Sequence, residues 1–155
     1  MQKCIIDIIV VGKLKEKSLK DLESEYSKRL TRYAKINIIE LKDSKDNDIN
    51  LAIKQESKLI LDKIDDKSFV ILLDIKGKML SSDDLSEEIN KITQTNAKIT
   101  FIVGGSNGVS MDVKNKANML LSFSPMTFPH QLFRIMLLEQ IYRSLAILNN
   151  SPYHK

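Results

Sequence analysis

The chain has 155 residues, a net charge of +4, 43% hydrophobic residues and 28% charged residues. This length fits one domain spanning residues 1–155, and the apolar content is sufficient for a buried core. No apolar run reaches the roughly 18 residues that a membrane-spanning helix needs. The single cysteine, Cys4, excludes an internal disulfide, and the sequence has no cysteine–histidine cluster that could hold zinc. We therefore expect a cytoplasmic protein with neither a membrane span nor a metal site.

The charge is unevenly distributed along the chain. Residues 1–35 hold nine Lys/Arg against five Asp/Glu, residues 36–100 hold ten against thirteen, and residues 101–155 hold five against two. Two basic ends are compatible with a nucleic-acid surface built from both. A solvated, lysine-rich face is the alternative that charge alone leaves open.

The first 105 residues alternate between apolar runs and amphipathic stretches. The run CIIDIIVVG at 4–12 is typical of a strand that is buried on both faces. The stretch 15–34 carries Leu and Tyr at spacings of three and four, which predicts an amphipathic helix. Asp48 and Ser82 are predicted N-caps of the next two helices. The pattern predicts an α/β fold with a parallel sheet: strands at 4–12, 36–41, 68–75 and 98–105, a turn around Gly77, and helices at 15–34, 49–64 and 81–93.

The C-terminal third adds a short helix, a fifth strand and a long final helix. The sequence predicts a turn and short helix at 106–117, a strand at 118–124 and a helix at 130–148 that Pro129 opens. This last helix is apolar on nearly all sides. One face can pack on the sheet, and the rest requires another cover. In so small a chain, the expected cover is a second copy, which predicts a homodimer through this helix.

Three segments follow predicted strands, at the sheet edge where doubly wound folds bind ligands. They are residues 73–75, the glycine-rich 104–108 and residues 122–128. The sequence GGSNG matches neither the dinucleotide-binding pattern nor the phosphate-binding loop, which disfavours a nicotinamide or ATP site. A plain turn is the alternative interpretation of this segment.

All three prolines and both histidines lie at or after Pro125. His130, in the first turn of the last helix, is expected to support the adjoining loop through a hydrogen bond. The terminal residues Tyr153, His154 and Lys155 supply a ring, a titratable group and a cation. A frayed tail is the alternative. No G-x-S-x-G elbow is present, and Cys4 lies within a strand, where it is poorly placed as a nucleophile.

Five motifs in this order resemble the bacterial SPOUT-class methyltransferases that methylate N3 of a pseudouridine in 23S ribosomal RNA. They are LDIKGK at 73–78, FIVGGSNG at 101–108, LSFSPMTFPHQLFR at 121–134, EQIYRSLAI at 139–147 and the terminal PYHK. The resemblance covers the whole chain. It departs from the family at Ser106 and Asn107, where many members have proline followed by an acidic or aromatic residue. The outer glycines are kept, so we expect the loop to form with altered contacts in its middle.

The resemblance implies a Rossmann-like fold with a C-terminal deep trefoil knot, a homodimer, and 23S rRNA in the assembled ribosome as the partner. Its alternatives are a methyltransferase acting on another RNA and a non-catalytic RNA-binding module for ribosome assembly. Arg143, Tyr153 and His154 are the implied catalytic residues, and Lys155 is the implied substrate contact. The implied S-adenosylmethionine-binding residues are Leu73, Gly104, Phe123, Ser124, Pro125, Met126, Thr127 and Phe128.

Overall fold

Five strands and five helices alternate along residues 3–155, the part of the chain that the computed structural model describes. The strands pair in the order β2-β1-β4-β3-β5, and every pairing is parallel. The α/β prediction with a parallel sheet is therefore confirmed. The elements are β1 (Cys4–Val11), α1 (Lys17–Leu30), β2 (Ala34–Leu41), α2 (Ile49–Lys63), β3 (Phe69–Met79), α3 (Ser82–Thr95), β4 (Lys98–Val103), α4 (Met111–Lys116), β5 (Met119–Ser122) and α5 (His130–Leu148).

Helices cover both faces of the sheet. In β1, Ile6 and Ile8 belong to one hydrophobic cluster, whereas Ile9 and Val11 belong to the other. This division follows from the alternation of side chains along a strand. The first cluster contains residues of α1, α3 and α5, and the second contains residues of α2 and α4. No helix within residues 3–155 combines the length and apolar character needed to cross a membrane.

Two local predictions about helix ends are corrected. The first helix ends at Leu30 rather than Ala34, and Tyr33 lies in the turn that leads to β2. The N-cap of α3 is Ser81, whose hydroxyl accepts a hydrogen bond from the Asp84 N–H at 3.0 Å. The predicted cap, Ser82, instead donates its hydroxyl to α5. Ser81 is the cap because the backbone becomes helical at Ser82, one residue earlier than the apolar pattern indicates.

The third strand is longer than predicted and contains an irregularity. Both Leu73 and Lys78 pair with Leu121 of β5, so the intervening residues 74–77 loop out of the ladder. A Cβ on Gly77 would lie 2.6–2.8 Å from backbone atoms of Leu120 and Leu121. The predicted turn around Gly77 is wrong, because β3 continues through this residue to Met79. This glycine lies within β3 and permits the close approach of two backbone segments.

The final helix is covered mainly by its own chain. Helices α1 and α3 both pack against α5, and Tyr142 lies between the rings of Tyr26 and Tyr33 at centroid distances of 6.4 and 6.0 Å. Leu132 remains 40% exposed. The all-round apolar character that suggested a homodimer is thus explained largely by packing within one chain.

A buried arginine anchors the start of α5. Arg134 is 4% exposed, and its Nη2 lies 2.7 Å from Glu23 Oε2 of α1 and 2.8 Å from Glu40 Oε2 of β2. The side chain of Gln131 also accepts a hydrogen bond from the Lys15 N–H at 2.8 Å. These contacts fix the helix at the point where it leaves the segment 122–128.

Candidate active site

A cavity of about 510 Å³ opens at the looped-out residues of β3 and at the carboxyl ends of β4 and β5. Three loops line it: residues 73–76, residues 103–109 and the segment from 121 to 128. The start of α5 completes the wall. The cavity lies at the edge that the strand order predicts for ligand binding, because the carboxyl ends of parallel strands share one edge of the sheet.

The three loops bring together seven of the eight predicted cofactor residues. The exception is Pro125, which is exposed and is not part of the cavity wall. His130 is also exposed and borders the cavity, so it lies at the mouth rather than under the adjoining loop. The seven that line the cavity are Leu73, Gly104, Phe123, Ser124, Met126, Thr127 and Phe128.

The glycine-rich loop forms a tight turn. The Gly108 N–H donates to the Gly105 carbonyl oxygen at 3.0 Å, and Gly108 has a φ of +84°, which favours glycine. A Cβ on Gly104 would lie 2.7 Å from Val109 Cγ1. The loop therefore forms with Ser106 and Asn107 at its centre, and both residues face the cavity.

Helix α2 supports this loop from below. The Ser110 N–H donates to the Ser57 hydroxyl at 2.9 Å. The carboxylate of Glu56 is buried, accepts a hydrogen bond from the Ser44 N–H at 2.8 Å, and lies 2.7 Å from the position of a Cβ on Gly105. The backbone of the loop is thus held from outside the cavity as well as within its own turn.

The cavity carries a carboxylate that the site prediction omitted. Asp74 Oδ1 accepts a hydrogen bond from the Lys76 N–H at 2.8 Å, and Asp74 Oδ2 lies 3.9 Å from Lys114 Nζ. Asp74 directly follows Leu73, so its position in the sequence was a usable signal. Lys114 comes from α4, and no local sequence pattern predicts that it reaches this cavity.

Three aromatic rings form one side of the cavity. Phe133 lies 5.0 Å from Phe123 and 6.3 Å from Phe128, measured between ring centroids, and the Phe128–Phe133 pair is stacked. Phe133 was not predicted as a site residue. An apolar, aromatic wall with a few fixed polar groups is typical of sites for small organic molecules.

Neither a metal site nor a reactive thiol is found near this cavity. Within residues 3–155, no group of three or more His, Cys, Asp or Glu side chains could hold a metal ion. Cys4 lies in β1, and burial raises the pKa of its thiol. A raised pKa disfavours the nucleophilic thiolate.

The predicted catalytic residues form a second group at the C-terminus. The Tyr153 hydroxyl donates to Glu139 Oε2 at 2.7 Å, and Arg143 Nε donates to Glu139 Oε1 at 2.6 Å. Arg143 Nη1 lies 3.1 Å from His154 Nδ1, and His154 Nε2 lies 3.5 Å from Asp83 Oδ1. We call Asp83, Glu139, Arg143, Tyr153 and His154 the tail cluster. The tail is therefore ordered by side-chain contacts, which removes the frayed-tail alternative.

The hydrogen bonds of the tail cluster indicate which of its atoms donate and which accept. Since a guanidinium can only donate, His154 Nδ1 must accept, and the ring proton lies on Nε2, facing Asp83. The hydrogen bond to Glu139 raises the pKa of Tyr153 to about 12 and also raises the pKa of Arg143. At neutral pH the cluster thus presents a phenol at Tyr153 and a guanidinium at Arg143.

The ring of Tyr153 is partly buried and has two close neighbours. Tyr142 meets it edge-on at a centroid distance of 4.8 Å, and the Arg143 guanidinium carbon lies 4.8 Å from its centroid. These contacts orient the ring. Lys155 is exposed at the chain end, outside the tail cluster.

A second cavity, of about 440 Å³, connects the two groups of residues. Glu139 of the tail cluster lines it together with Gln140 and Met136 of α5 and the start of α3. The segment from 121 to 128 forms walls of both cavities through shared residues. These are Leu121, Phe123, Ser124 and Phe128.

The sequence is similar to a family of methyltransferases over nearly its full length. The family described as "Predicted SPOUT methyltransferase" matches residues 4–154. Three Clostridium botulinum proteins named Ribosomal RNA large subunit methyltransferase H, from strains Hall, Alaska E43 and Loch Maree, are 53%, 54% and 51% identical to the chain. Each alignment covers 97% of this chain and 99% of the relative. This chain, with its parallel sheet and its cavity at the carboxyl edge, belongs to the SPOUT methyltransferase family.

Proposed function

We propose that this chain is an S-adenosylmethionine-dependent methyltransferase that methylates N3 of a pseudouridine in 23S ribosomal RNA. The single observation that carries the proposal is that seven of the eight expected cofactor residues line one cavity. Relatives more than 50% identical over almost the whole chain are named as methyltransferases of the large ribosomal subunit RNA. The substrate is the assembled ribosome, and the protein therefore acts in the cytoplasm. The chain forms a single domain spanning residues 1–155.

The cavity fits S-adenosylmethionine in size and chemistry. Its volume of about 510 Å³ lies within the range of about 300–1,000 Å³ for small-molecule sites. The glycine loop and Leu73 offer backbone groups for the adenine, and Phe123 and Phe128 offer apolar surface. The Asp74 carboxylate supplies negative charge for a cofactor that carries a sulfonium and an ammonium group.

The chemistry requires the N3 nitrogen to lose a proton and form a bond to carbon. Bound S-adenosylmethionine would supply an electrophilic methyl group, and the bond from that methyl to sulfur would break as N3 bonds to it. Arg143 and Lys155 provide positive charge that favours the N3 anion. His154 Nδ1 lies 3.1 Å from Arg143 Nη1. In this proposal the N3 proton passes to water, and the chain contributes mainly alignment and charge.

Two further features belong to the proposal: a C-terminal trefoil knot and a homodimer. Support for the knot comes from the match to the SPOUT family over residues 4–154. Support for a homodimer through α5 comes from Leu132, 40% exposed on that helix, and from Met126, 73% exposed on the adjoining loop. In such a dimer the tail of one protomer serves the cofactor of its partner.

Mass spectrometry of ribosomal RNA tests the proposal. A strain that lacks this protein should lose one methyl group on one pseudouridine of 23S rRNA, and the wild-type chain supplied on a plasmid should restore it. An unchanged 23S rRNA, with a methyl group missing from transfer RNA instead, would identify a different RNA substrate. Calorimetry with S-adenosylmethionine distinguishes a methyltransferase of either RNA from a non-catalytic assembly module, because the module would bind no cofactor.

A further inference from the structure

Glu139 is the one acidic side chain of α5. It is 19% exposed, and both of its carboxylate oxygens are hydrogen-bonded. One oxygen accepts from Arg143, one turn further along the helix, and the other accepts from Tyr153, fourteen residues away. Charge-assisted bonds of this length are among the stronger hydrogen bonds in proteins.

The influence of Glu139 extends to His154. Arg143 is oriented by Glu139, and the same guanidinium donates from Nη1 to His154 Nδ1. On α1, burial and the Glu139 carboxylate raise the pKa of Tyr26. Through its hydrogen bonds, Glu139 links α5 to the last residues of the chain.

The backbone of the tail offers little to replace these contacts. Within residues 3–155, the last backbone hydrogen bond that joins the tail to α5 runs from the Ser151 N–H to the Ala146 carbonyl oxygen. Beyond that point, Tyr153 N–H reaches only the Ser151 hydroxyl, at 3.4 Å. The placement of Tyr153 and His154 therefore depends on side chains, and Glu139 receives the two shortest hydrogen bonds among them.

Glu139 also faces the cavity of about 440 Å³, whose opposite wall includes Phe123, Ser124 and Phe128. These three residues separate that space from the cofactor cavity. The carboxylate is thus placed between the tail and the loop that holds the cofactor, without lining the cofactor cavity itself.

We propose that Glu139 is a positioning residue that holds Tyr153, Arg143 and, through Arg143, His154 in the arrangement used for methyl transfer. This inference rests on the proposed function of the tail. Glu139 contacts neither cofactor nor substrate. Its role is to fix the direction of the Arg143 guanidinium, the tautomer of His154 and the course of the last three residues.

Imidazole NMR measures this role without reference to activity. The chain has two histidines, so His130→Gln leaves His154 as the only imidazole. In this background the nitrogen-15 spectrum should show a single tautomer, with the proton on Nε2. Adding Glu139→Ala should give the averaged signals of a mobile ring. If His154 keeps one tautomer in Glu139→Ala, the proposal is overturned.

Kinetics on assembled ribosomes measure the consequence. Glu139→Ala should lower the single-turnover methylation rate by about 100-fold, as expected for loss of alignment. The dissociation constant for S-adenosylmethionine, measured by calorimetry, should stay within about twofold of wild type. Tyr153→Phe removes only one of the two hydrogen bonds to Glu139 and should lower the rate by a smaller factor. A methylation rate in Glu139→Ala within about twofold of wild type contradicts the proposal.

Controls separate this inference from the proposed function. Asp21→Asn removes an exposed ion pair between residues four apart on α1 and should leave both readouts unchanged. Thermal unfolding shows whether Glu139→Ala remains folded, and Glu139→Gln, which keeps the side-chain volume, provides a milder variant. If the wild-type chain does not methylate 23S rRNA, the proposed function fails. The NMR measurement of the His154 tautomer still tests whether Glu139 holds the tail, because it does not depend on activity.

Discussion

The cofactor cavity and the tail cluster are built on different physical principles. The cavity is shaped by close packing of its loops. A Cβ on Gly104 would lie 2.7 Å from the Val109 side chain, and Gly108 has a positive φ. Next to the cavity wall, a Cβ on Gly77 would lie 2.6–2.8 Å from the Leu120–Leu121 backbone. The tail cluster is shaped by charged and hydrogen-bonding side chains, with distances of 2.6–3.5 Å between Glu139, Arg143 and their partners.

This difference indicates which substitutions each region tolerates. A cavity made by close packing of loops is sensitive to one added methyl group, since a packed interior cannot absorb extra volume without strain. A cluster made by charged side chains is sensitive to loss of a hydrogen-bond partner, which leaves another group unsatisfied. Substitutions of these two kinds should therefore separate cofactor binding from methyl transfer.

Removal of residues 151–155 should have the largest effect on activity. It deletes Tyr153, His154 and Lys155, so the methylation rate on ribosomes should fall by at least about 100-fold. Calorimetry should show S-adenosylmethionine binding within about twofold of wild type, since no residue of this segment lines the cofactor cavity. Full activity of the truncated chain would remove the tail from the mechanism.

Gly77→Ala should have the largest effect on the cavity. The added Cβ would meet the Leu120–Leu121 backbone, which cannot rotate away as a side chain can. We expect a loss of stability of about 1–3 kcal/mol, measured by denaturant unfolding, together with loss of cofactor binding. Gly12→Ala is the control for backbone strain alone: Gly12 has a φ of +102°, which is unfavourable for alanine, whereas Gly77 has no positive φ. No atom lies within 4 Å of the new Cβ on Gly12, so cofactor binding should persist.

Gly104→Ala should have a smaller effect that can be reversed. Here the obstacle is the Val109 side chain, at 2.7 Å from the added Cβ. A cost of about 1–3 kcal/mol should weaken S-adenosylmethionine binding by roughly tenfold or more. The double variant Gly104→Ala, Val109→Ala should recover most of the affinity in calorimetry. Failure to recover would mean that the added Cβ obstructs the cofactor itself.

The smallest effect is expected in the ionisation of Tyr153. Its pKa of about 12 exceeds the ordinary value near 10, so the folded protein keeps the phenol protonated while the unfolded chain ionises. The stability that comes from its bond to Glu139 is complete below about pH 10 and is lost as the pH rises towards 12. An ultraviolet titration should show an ionisation phase near pH 12 that is absent from Tyr153→Phe.

Much of the fold follows from local sequence patterns. Continuous apolar runs such as CIIDIIVV fix strands that are buried on both faces. Asp48 accepts hydrogen bonds from the N–H groups of Asn50 and Leu51, as its position before an amphipathic run predicts. The location of the cavity at the strand ends also followed, because parallel strands present their carboxyl ends at one edge.

Tertiary structure decided the features in which distant segments meet. The sequence around Gly77 has the composition of a turn, and only the approach of β5 reveals why a glycine is needed inside β3. Likewise, the apolar surface of α5 suggested a second copy, whereas α1 and α3 of the same chain cover most of it. Sequence patterns report which face is apolar, but they do not report which neighbour covers it.

By itself, the sequence determined the alternation of elements, the parallel sheet, the three loops of the cavity and, by resemblance, the family. The tertiary structure alone assigned Asp74 and Lys114 to the cavity wall, Arg134 to its ion pairs with Glu23 and Glu40, and Glu139 to the tail. The physical reason is range: apolar periodicity, capping and turn formation act between residues near in sequence. In contrast, a carboxylate and its partner attract wherever the folded chain brings them together, and local sequence patterns do not predict contacts between residues that are distant in sequence.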